Sequence, residues 1–180
     1  MRVSEVVRCK DFPCSDARHD CYQVPDIDNC PEDVPIVLIS EAAPSDLADY
    51  YYAPGDPLSG QTTVQAFRDA GADVFSVQDI LDLGAYMTTA VKCGKTTYGI
   101  KTGTMKQCSV LLEQELDLFP RVKAFLLMGD LAIRALNVRH VAPPWVPTQQ
   151  TGATGFKSFH LRKWTVQSGI VRTPSILDNE

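Results

Sequence analysis

The strongest pattern along the chain is a continuous apolar run over residues 35–40, PIVLIS, which is typical of a strand buried on both faces of a parallel sheet. Two later runs have the same character, AYMTTAV over 85–91 and VKAFLLM over 122–128. A less regular stretch near the C-terminus, TVQSGIVRTPS over 165–175, is predicted to hold a last strand. The pattern therefore predicts about four strands, of which three are fully buried.

Helices are predicted between these strands. Thr62 with Gln65, and Thr104 with Gln107, match the spacing of a capping box, in which two side chains satisfy free N–H groups at a helix start. The helix after Thr104 carries apolar residues at helical spacing, and within that set only Glu115 is expected to face away from the core. GDLAIRAL begins a further helix directly after the third strand.

Strands that alternate with helices predict an α/β fold. We expect a three-layer α/β/α sandwich around a short, mainly parallel sheet of about four strands. Ligands in such folds gather at the carboxyl ends of the strands, so the segments of interest are 41–44, 92–93 and 129–130. A cysteine-containing segment over 1–34 is expected to pack on this domain, and 138–180 is expected to form an irregular C-terminal part.

Length and composition fit a single domain over 1–180. The 180 residues are 44% hydrophobic, and a chain of this size buries about 70% of its unfolded surface, which supports a sizeable core. No apolar run approaches the roughly 20 residues that cross a bilayer, and the N-terminus lacks the apolar stretch of a signal peptide. We therefore expect a cytoplasmic protein without a membrane partner.

The charge distribution bears on nucleic-acid binding. A net charge of −5 argues mildly against a protein that coats nucleic acid, because phosphate neutralisation needs clustered lysine and arginine. Residues 1–60 carry four basic and twelve acidic side chains, whereas residues 139–180 carry five basic and two acidic. A DNA-facing surface, if the protein has one, is therefore expected in the later part of the chain.

Four motifs occur in an informative order: ISEAAP after a strand, GDPLSG after a loop, AVKCGK after a strand, and the run CSVLLEQELDLFPRVKAFLLMGDLAIRAL. Their order and spacing resemble the iron–sulfur branch of the uracil-DNA glycosylase superfamily, found in bacteria and archaea, over residues 9 to 137. The resemblance implies a DNA glycosylase that hydrolyses the N-glycosidic bond of a damaged or deaminated base, such as uracil in DNA. We expect a monomer.

The resemblance also implies a cofactor. In that family the two inner cysteines ligate a [4Fe–4S] cluster, and these correspond to Cys93 and Cys108; Cys9 and Cys14 correspond to the N-terminal pair, with Cys21 as a substitute ligand. Four residues separate Cys9 from Cys14, whereas the family pattern is CxxC. In a reducing cytoplasm the alternatives are a zinc site at the N-terminal cysteines or ordinary buried cysteines without metal.

The family's water-activating motif corresponds to Glu41, whose carboxylate would orient a water as general base, and to the backbone of Ala42, Ala43 and Pro44 in the base pocket. The alternative for Glu41 is a surface or helix-capping carboxylate. At the family's aromatic stacking position this chain has Leu58, so that one of the tyrosines at 50–52 either substitutes for the missing ring or packs the loop.

Two further family positions differ in this chain. The asparagine that reads uracil corresponds to Thr89, whose hydroxyl cannot present the paired donor and acceptor of an amide. The His-Pro-Ser loop corresponds to Thr173, Pro174 and Ser175, and threonine cannot carry the positive charge that stabilises a leaving base. The alternative function is therefore a catalytically silent DNA- or protein-binding relative that retains the scaffold and the cluster.

Overall fold

The computed structural model describes residues 2–27, 31–96, 99–139, 158–161 and 164–167. Its regular elements are five α-helices and six strands among these residues. The helices are α1 (Val3–Val6), α2 (Leu58–Asp69), α3 (Val77–Asp82), α4 (Thr102–Leu116) and α5 (Asp130–Arg139). The strands are β1 (Ala17–Arg18), β2 (Ile36–Ala43), β3 (Ala85–Lys95), β4 (Ala124–Leu127), β5 (Ser158–Leu161) and β6 (Trp164–Gln167).

Four of the strands form one sheet in the order β1-β3-β2-β4. The central strand β2 is parallel to both β3 and β4, and the short β1 is antiparallel on the outer edge of β3. Strands β5 and β6 form a separate antiparallel pair. The predicted α/β class and the mainly parallel sheet are confirmed, whereas the three-layer arrangement stays a prediction.

The apolar runs become strands because side chains on both faces of the sheet are buried. Alternate side chains point to opposite faces of a strand, and β2 follows this rule. Val37 and Ile39 belong to the larger apolar cluster, which includes residues of α4 and α5. Leu38 belongs to a second cluster with Met87 of β3 and Ile80 of α3. A strand buried in this way has no polar face, which is why its sequence reads as one continuous apolar run.

Both predicted capping boxes are wrong. Helix α2 begins at Leu58, four residues before Thr62, and the Thr62 hydroxyl donates back to the Leu58 carbonyl at 3.0 Å. Helix α4 begins at Thr102, so Thr104 lies in its first turn, and the Thr104 hydroxyl donates to the carboxylate of Asp16. The Thr62 hydroxyl thus bonds to a carbonyl of its own helix, whereas the Thr104 hydroxyl bonds to a distant part of the chain that local spacing does not reveal.

The prediction that Glu115 faces away from the core is also wrong. Its side chain is 0% exposed, and it forms an ion pair with Lys92, whose side chain is likewise 0% exposed. Two hydroxyls donate to the same carboxylate, that of Tyr86 at 2.5 Å and that of Thr88 at 2.8 Å. The carboxylate is buried because a cation and two donors from β3 compensate for the lost water.

Candidate functional site

The N-terminal segment is held against the end of β3. Strand β1 pairs Ala17 with Lys95 and Arg18 with Gly94. Immediately before β1, the Asp16 carboxylate accepts the N–H of Lys101 at 2.6 Å and the Thr104 hydroxyl. Asp16 therefore satisfies free donors at the start of α4 from a distant part of the chain, and fixes the cysteine segment to that helix.

The electrostatics of Asp16 agree with this capping role. Burial alone would raise the pKa of its carboxyl, but hydrogen bonds from the Thr104 hydroxyl and the Lys101 N–H outweigh it and lower the pKa below the usual value. Asp16 is therefore ionised at neutral pH, and its charge lies beside the positive end of the α4 dipole.

Tyr22 fixes the first cysteine of the segment. Its hydroxyl accepts the N–H of Cys9 at 3.1 Å and donates to the Val7 carbonyl at 3.4 Å. Its ring packs edge-on against Phe12 with centroids 5.3 Å apart. The backbone next to Tyr22 is tied to β3, because the N–H of Gln23 donates to the carbonyl of Lys92 at 2.7 Å.

These contacts bring the four predicted ligand cysteines into one neighbourhood. Cys9, Cys14 and Cys108 line a cavity of about 560 Å³ between the N-terminal segment and α4. Cys93, near the end of β3, lies in a small buried cluster with Cys14 and Ala17. Cysteines that are far apart in sequence are thus neighbours in the fold.

The environment of the two inner cysteines affects their protonation. Burial raises the pKa of Cys93 to about 12, and the neighbouring thiols Cys108, Cys14 and Cys9 add to that rise. Burial also raises the pKa of Cys108 to about 11, partly opposed by a hydrogen bond from the backbone of Lys92. Both groups are therefore thiols at neutral pH when no metal is bound, and a bound metal would displace their protons.

The substitute ligand Cys21 has a different environment. Its thiol donates to the carbonyl of Ser45 at 3.3 Å, in the loop that follows β2. Its Cβ lies so close to Gly94 that a side chain at position 94 would meet it at 2.9 Å. Cys21 therefore packs β3 against the loop after β2.

Across the described part of the chain, no group of three or more histidine, cysteine, aspartate or glutamate side chains is arranged so that it could hold a metal ion. The cysteines share a cavity and a cluster without surrounding one common point. The described cysteines, 9, 14, 21, 93 and 108, are all free thiols. The donor set is thus chemically suited to a thiolate-ligated metal, and ligation would require the thiols to move closer together.

Glu41 lies near the carboxyl end of β2, beyond the last pair that β2 forms with β4. Its Oε2 accepts a hydrogen bond from Lys95 Nζ at 2.7 Å, at the end of β3. Its Oε1 accepts the N–H of Leu131 at 3.3 Å, in the first turn of α5. The carboxylate therefore joins three elements at the edge where ligands bind in parallel α/β sheets.

The same two donors set the ionisation of Glu41. The hydrogen bond from Lys95 is the largest influence and lowers the pKa of the carboxyl; burial raises it less, and the Leu131 N–H lowers it further. Glu41 is consequently a carboxylate at neutral pH. Its side chain is 37% exposed, so that water can reach it, as a general base requires.

Gly129 makes room for this carboxylate. Its φ of +100° is in the left-handed region, and an added Cβ would lie 2.6 Å from both Cγ and Oε1 of Glu41. The strand-to-helix passage at 128–131 therefore fits closely around Glu41, and glycine is the residue that permits the approach.

The predicted base-pocket residues are in diverse environments. Ala42 and Ala43 end β2, and Pro44 begins the loop after it. Leu58 begins α2 and is 58% exposed, so its side chain is available at the surface. Thr89 is 1% exposed, and its hydroxyl has no hydrogen-bond partner among the described residues. An incoming base would reach Thr89 only after movement of the residues that cover it.

The tyrosines pack the loop. Tyr50 and Tyr51 are 4% and 7% exposed, and both belong to the apolar cluster around Leu38. The Tyr52 hydroxyl accepts the N–H of Met87 and donates to its carbonyl, both at 2.9 Å. Of the two roles considered for these rings, packing is the one that their contacts support. Thr173, Pro174 and Ser175 lie outside the described residues.

Two residues of this region were missed by sequence reasoning. Lys95 comes two residues after Cys93 at the end of β3. This position at a strand end is the signal that could have identified it as a site residue. Asp16 gave no local signal, because its partner Thr104 is 88 positions away.

Among the described helices none is both long and apolar enough to cross a membrane. Comparison of the chain with models of known protein families gives no match, and comparison with curated proteins gives none either.

Proposed function

We propose that the protein is a DNA glycosylase-like hydrolase that carries a [4Fe–4S] cluster and removes a damaged or deaminated base, such as uracil, from DNA. The observation that carries this proposal is the pair of sites at the end of β3. A group of free cysteines lies on one side, at Cys9, Cys14, Cys93 and Cys108. An ionised, accessible Glu41 lies at the carboxyl edge of the sheet.

Cys9, Cys14, Cys93 and Cys108 would hold the cluster. When bound, the cluster supplies four iron–thiolate bonds that join the N-terminal segment to β3 and α4, and its binding energy becomes folding energy. The thiols are already neighbours through Asp16, Tyr22 and the pairing of β1 with β3. Iron–sulfur clusters and free thiols suit a reducing compartment, so we propose a cytoplasmic location.

In hydrolysis, Glu41 would orient a water molecule towards C1′ of the sugar. The carboxylate stays ionised because Lys95 and the Leu131 N–H stabilise its charge. Each carboxylate oxygen has a second acceptor position for the water. As the N-glycosidic bond breaks, the base leaves with the bonding electron pair and takes a proton from solvent. The negative charge of Glu41 stabilises the cation that develops on the sugar, and Glu41 takes the proton of the attacking water. The backbone near Ala43 would grip the extruded base.

A silent DNA- or protein-binding protein is the second candidate. Both oxygens of Glu41 already accept hydrogen bonds from the fold, and Thr89 is 1% exposed. These observations favour a structural role for the carboxylate, in which it only joins β2 to β3 and α5.

An assay of base release separates the two candidates. Oligonucleotides that contain uracil, hypoxanthine or xanthine would be incubated with the protein, and abasic product would be revealed by alkaline strand cleavage. Abasic product that disappears in Glu41→Gln supports the glycosylase, because glutamine keeps the shape and loses the base. Binding without product on all three substrates supports the silent protein instead.

A further inference from the structure

A groove between α2 and α3 has no role in the proposed function. Its volume is about 620 Å³, and the two helices form its walls together with the loop that precedes α2. Half-buried apolar side chains form part of its lining, namely Val64, Val77 and Leu81. The described residues that line it include no cysteine and none of the predicted base-pocket residues. The groove is therefore a separate site from the cysteines and from Glu41.

The two helices are held close together. An added Cβ at Gly60 of α2 would lie 2.9 Å from Cγ2 of Val77 in α3, so the missing side chain permits this contact. Helix α3 begins with a capping box, in which the side chains of Ser76 and Asp79 each accept a backbone N–H of the other residue. The groove is therefore already formed in the free protein.

Phe75 is an exposed aromatic ring at the groove, on a fixed backbone. The residue is 69% exposed, and its N–H donates to Asp79 Oδ2 at 2.8 Å. The guanidinium of Arg68 lies 5.1 Å from the centroid of the ring. Aromatic and arginine side chains are enriched at protein interfaces. Because the backbone of Phe75 is already ordered, covering the ring costs little conformational entropy.

The charge around the groove is strongly negative. Residues 53–84 carry five aspartates and one basic residue. Two of these aspartates are bound to residues that line the groove. Gln65 donates to Asp69 at 2.7 Å, and Gln78 donates to Asp82 at 2.8 Å. A surface of this sign repels the phosphates of DNA and attracts basic segments of proteins.

We propose that this groove binds a basic segment of a partner protein. The segment would insert apolar side chains beside Val64 and Val77 and against Phe75. Its lysine or arginine side chains would pair with Asp69 and Asp82. The volume of the groove lies within the range of about 300–1,000 Å³ that holds a drug-sized ligand, which is room for a few side chains. The proposal does not rest on the proposed function, because it requires neither iron nor DNA.

The test is a selection of binders to the full-length chain from a display library of random peptides. We expect the enriched peptides to carry lysine and arginine around an aromatic or aliphatic anchor. The synthesised consensus peptide is then titrated against the wild type and two variants by fluorescence anisotropy. Affinity should fall about tenfold or more in Phe75→Ala, as for an interface hot spot. It should fall about two- to fivefold in Asp82→Asn, as for an exposed ion pair.

A matched control for charge is Asp117→Asn. Asp117 is exposed at the end of α4 and does not line the groove, so this variant should bind the peptide as the wild type does. Thermal unfolding of Phe75→Ala should be close to that of the wild type, because the ring is mostly exposed. A loss of affinity in that variant then reports on the groove and not on folding.

Three results of the selection would overturn the inference: no enriched peptide, enrichment of acidic peptides, or a consensus affinity that Phe75→Ala leaves unchanged. A second copy of the chain is a competing occupant. Dimerisation in analytical ultracentrifugation that disappears in Phe75→Ala would identify it and contradict the proposal. Tighter binding of a single-stranded oligonucleotide than of the consensus peptide, lost in Phe75→Ala, would identify DNA as the occupant and contradict it equally.

Discussion

Lys92 and Lys95 lie three residues apart on β3, and each forms an ion pair with a glutamate from another element. The two ion pairs differ in their exposure to solvent. Lys92 and Glu115 are 0% exposed, and hydroxyls of Tyr86 and Thr88 complete their hydrogen bonds. Lys95 and Glu41 are about one-third exposed at the edge of the sheet. The same two functional groups therefore stabilise the fold at one position and remain available for chemistry at the other. The two pairs therefore differ in role because they differ in burial, although their residue types are the same.

The largest effect is expected from breaking the buried pair. Glu115→Gln leaves the Lys92 ammonium buried without a counter-charge, which costs about 3–5 kcal/mol of unfolding free energy. Urea denaturation measures this loss. The double variant Lys92→Met with Glu115→Leu removes both charges together and should recover most of it. A loss below about 1 kcal/mol in Glu115→Gln would contradict the comparison, since that is the range of an exposed pair.

The exposed pair, Lys95 with Glu41, should affect base release strongly and stability only slightly. Glu41→Gln is expected to change unfolding free energy by less than about 1 kcal/mol, because the pair is partly solvated. Base release should fall by about 10²–10⁴-fold, the usual contribution of general base catalysis. Single-turnover kinetics and denaturation of the same preparation check both values. A large loss of stability with unchanged base release would reverse the roles assigned to the two pairs.

Gly129→Ala tests whether the missing side chain at position 129 is what allows the Glu41 carboxylate its position. Its left-handed backbone costs a non-glycine residue about 1–2 kcal/mol, and the new Cβ would also displace the Glu41 carboxylate, 2.6 Å away. Gly71→Ala is the matched control, since its φ is +91° and nothing lies within 4 Å of an added Cβ. We expect similar backbone strain in both variants and an additional loss of stability from the steric clash in Gly129→Ala, both measured by thermal unfolding. Base release should fall only in Gly129→Ala, and an equal fall in the control would refute the steric explanation.

The smallest effect concerns pH. Lys95 lowers the pKa of Glu41 in the folded state, so the pair contributes stability above the unfolded carboxyl pKa of about 4.3 and loses it as pH falls through the lower folded pKa. Lys95→Met should therefore reduce unfolding free energy at pH 7 by less than about 1 kcal/mol. The difference from wild type should shrink below about pH 4. A difference that grows in acid would have the wrong sign for this pair.

The sequence predicted the sheet because continuous apolar runs are a local signal. Strands β2, β3 and β4 all lie on such runs. Helix α3 also has a local signal in the sequence, the capping box of Ser76 and Asp79. The buried pair could not be found this way, because a charged residue at helical spacing reads as exposed until its partner on another element is known.

Glu41 and the cysteines of the candidate site could be predicted from the sequence, whereas Lys95 and Asp16 could not. Resemblance to a family placed Glu41 and the four cysteines together, and the fold brings the cysteines into one neighbourhood. Lys95 and Asp16 enter the site through tertiary contacts, with Glu41 at a separation of 54 residues and with Thr104 at 88. Contacts at such separations depend on the register of the sheet and on helix docking, which no local pattern encodes.

The central claim is that cysteines from three parts of the chain bind one iron–sulfur cluster. Iron, acid-labile sulfide and zinc should be measured in freshly, anaerobically purified wild-type protein and in Cys108→Ser. We expect about four iron and four sulfide per chain in the wild type, with both strongly reduced in the variant. A wild-type protein without iron, or with about one zinc in place of it, would contradict the claim.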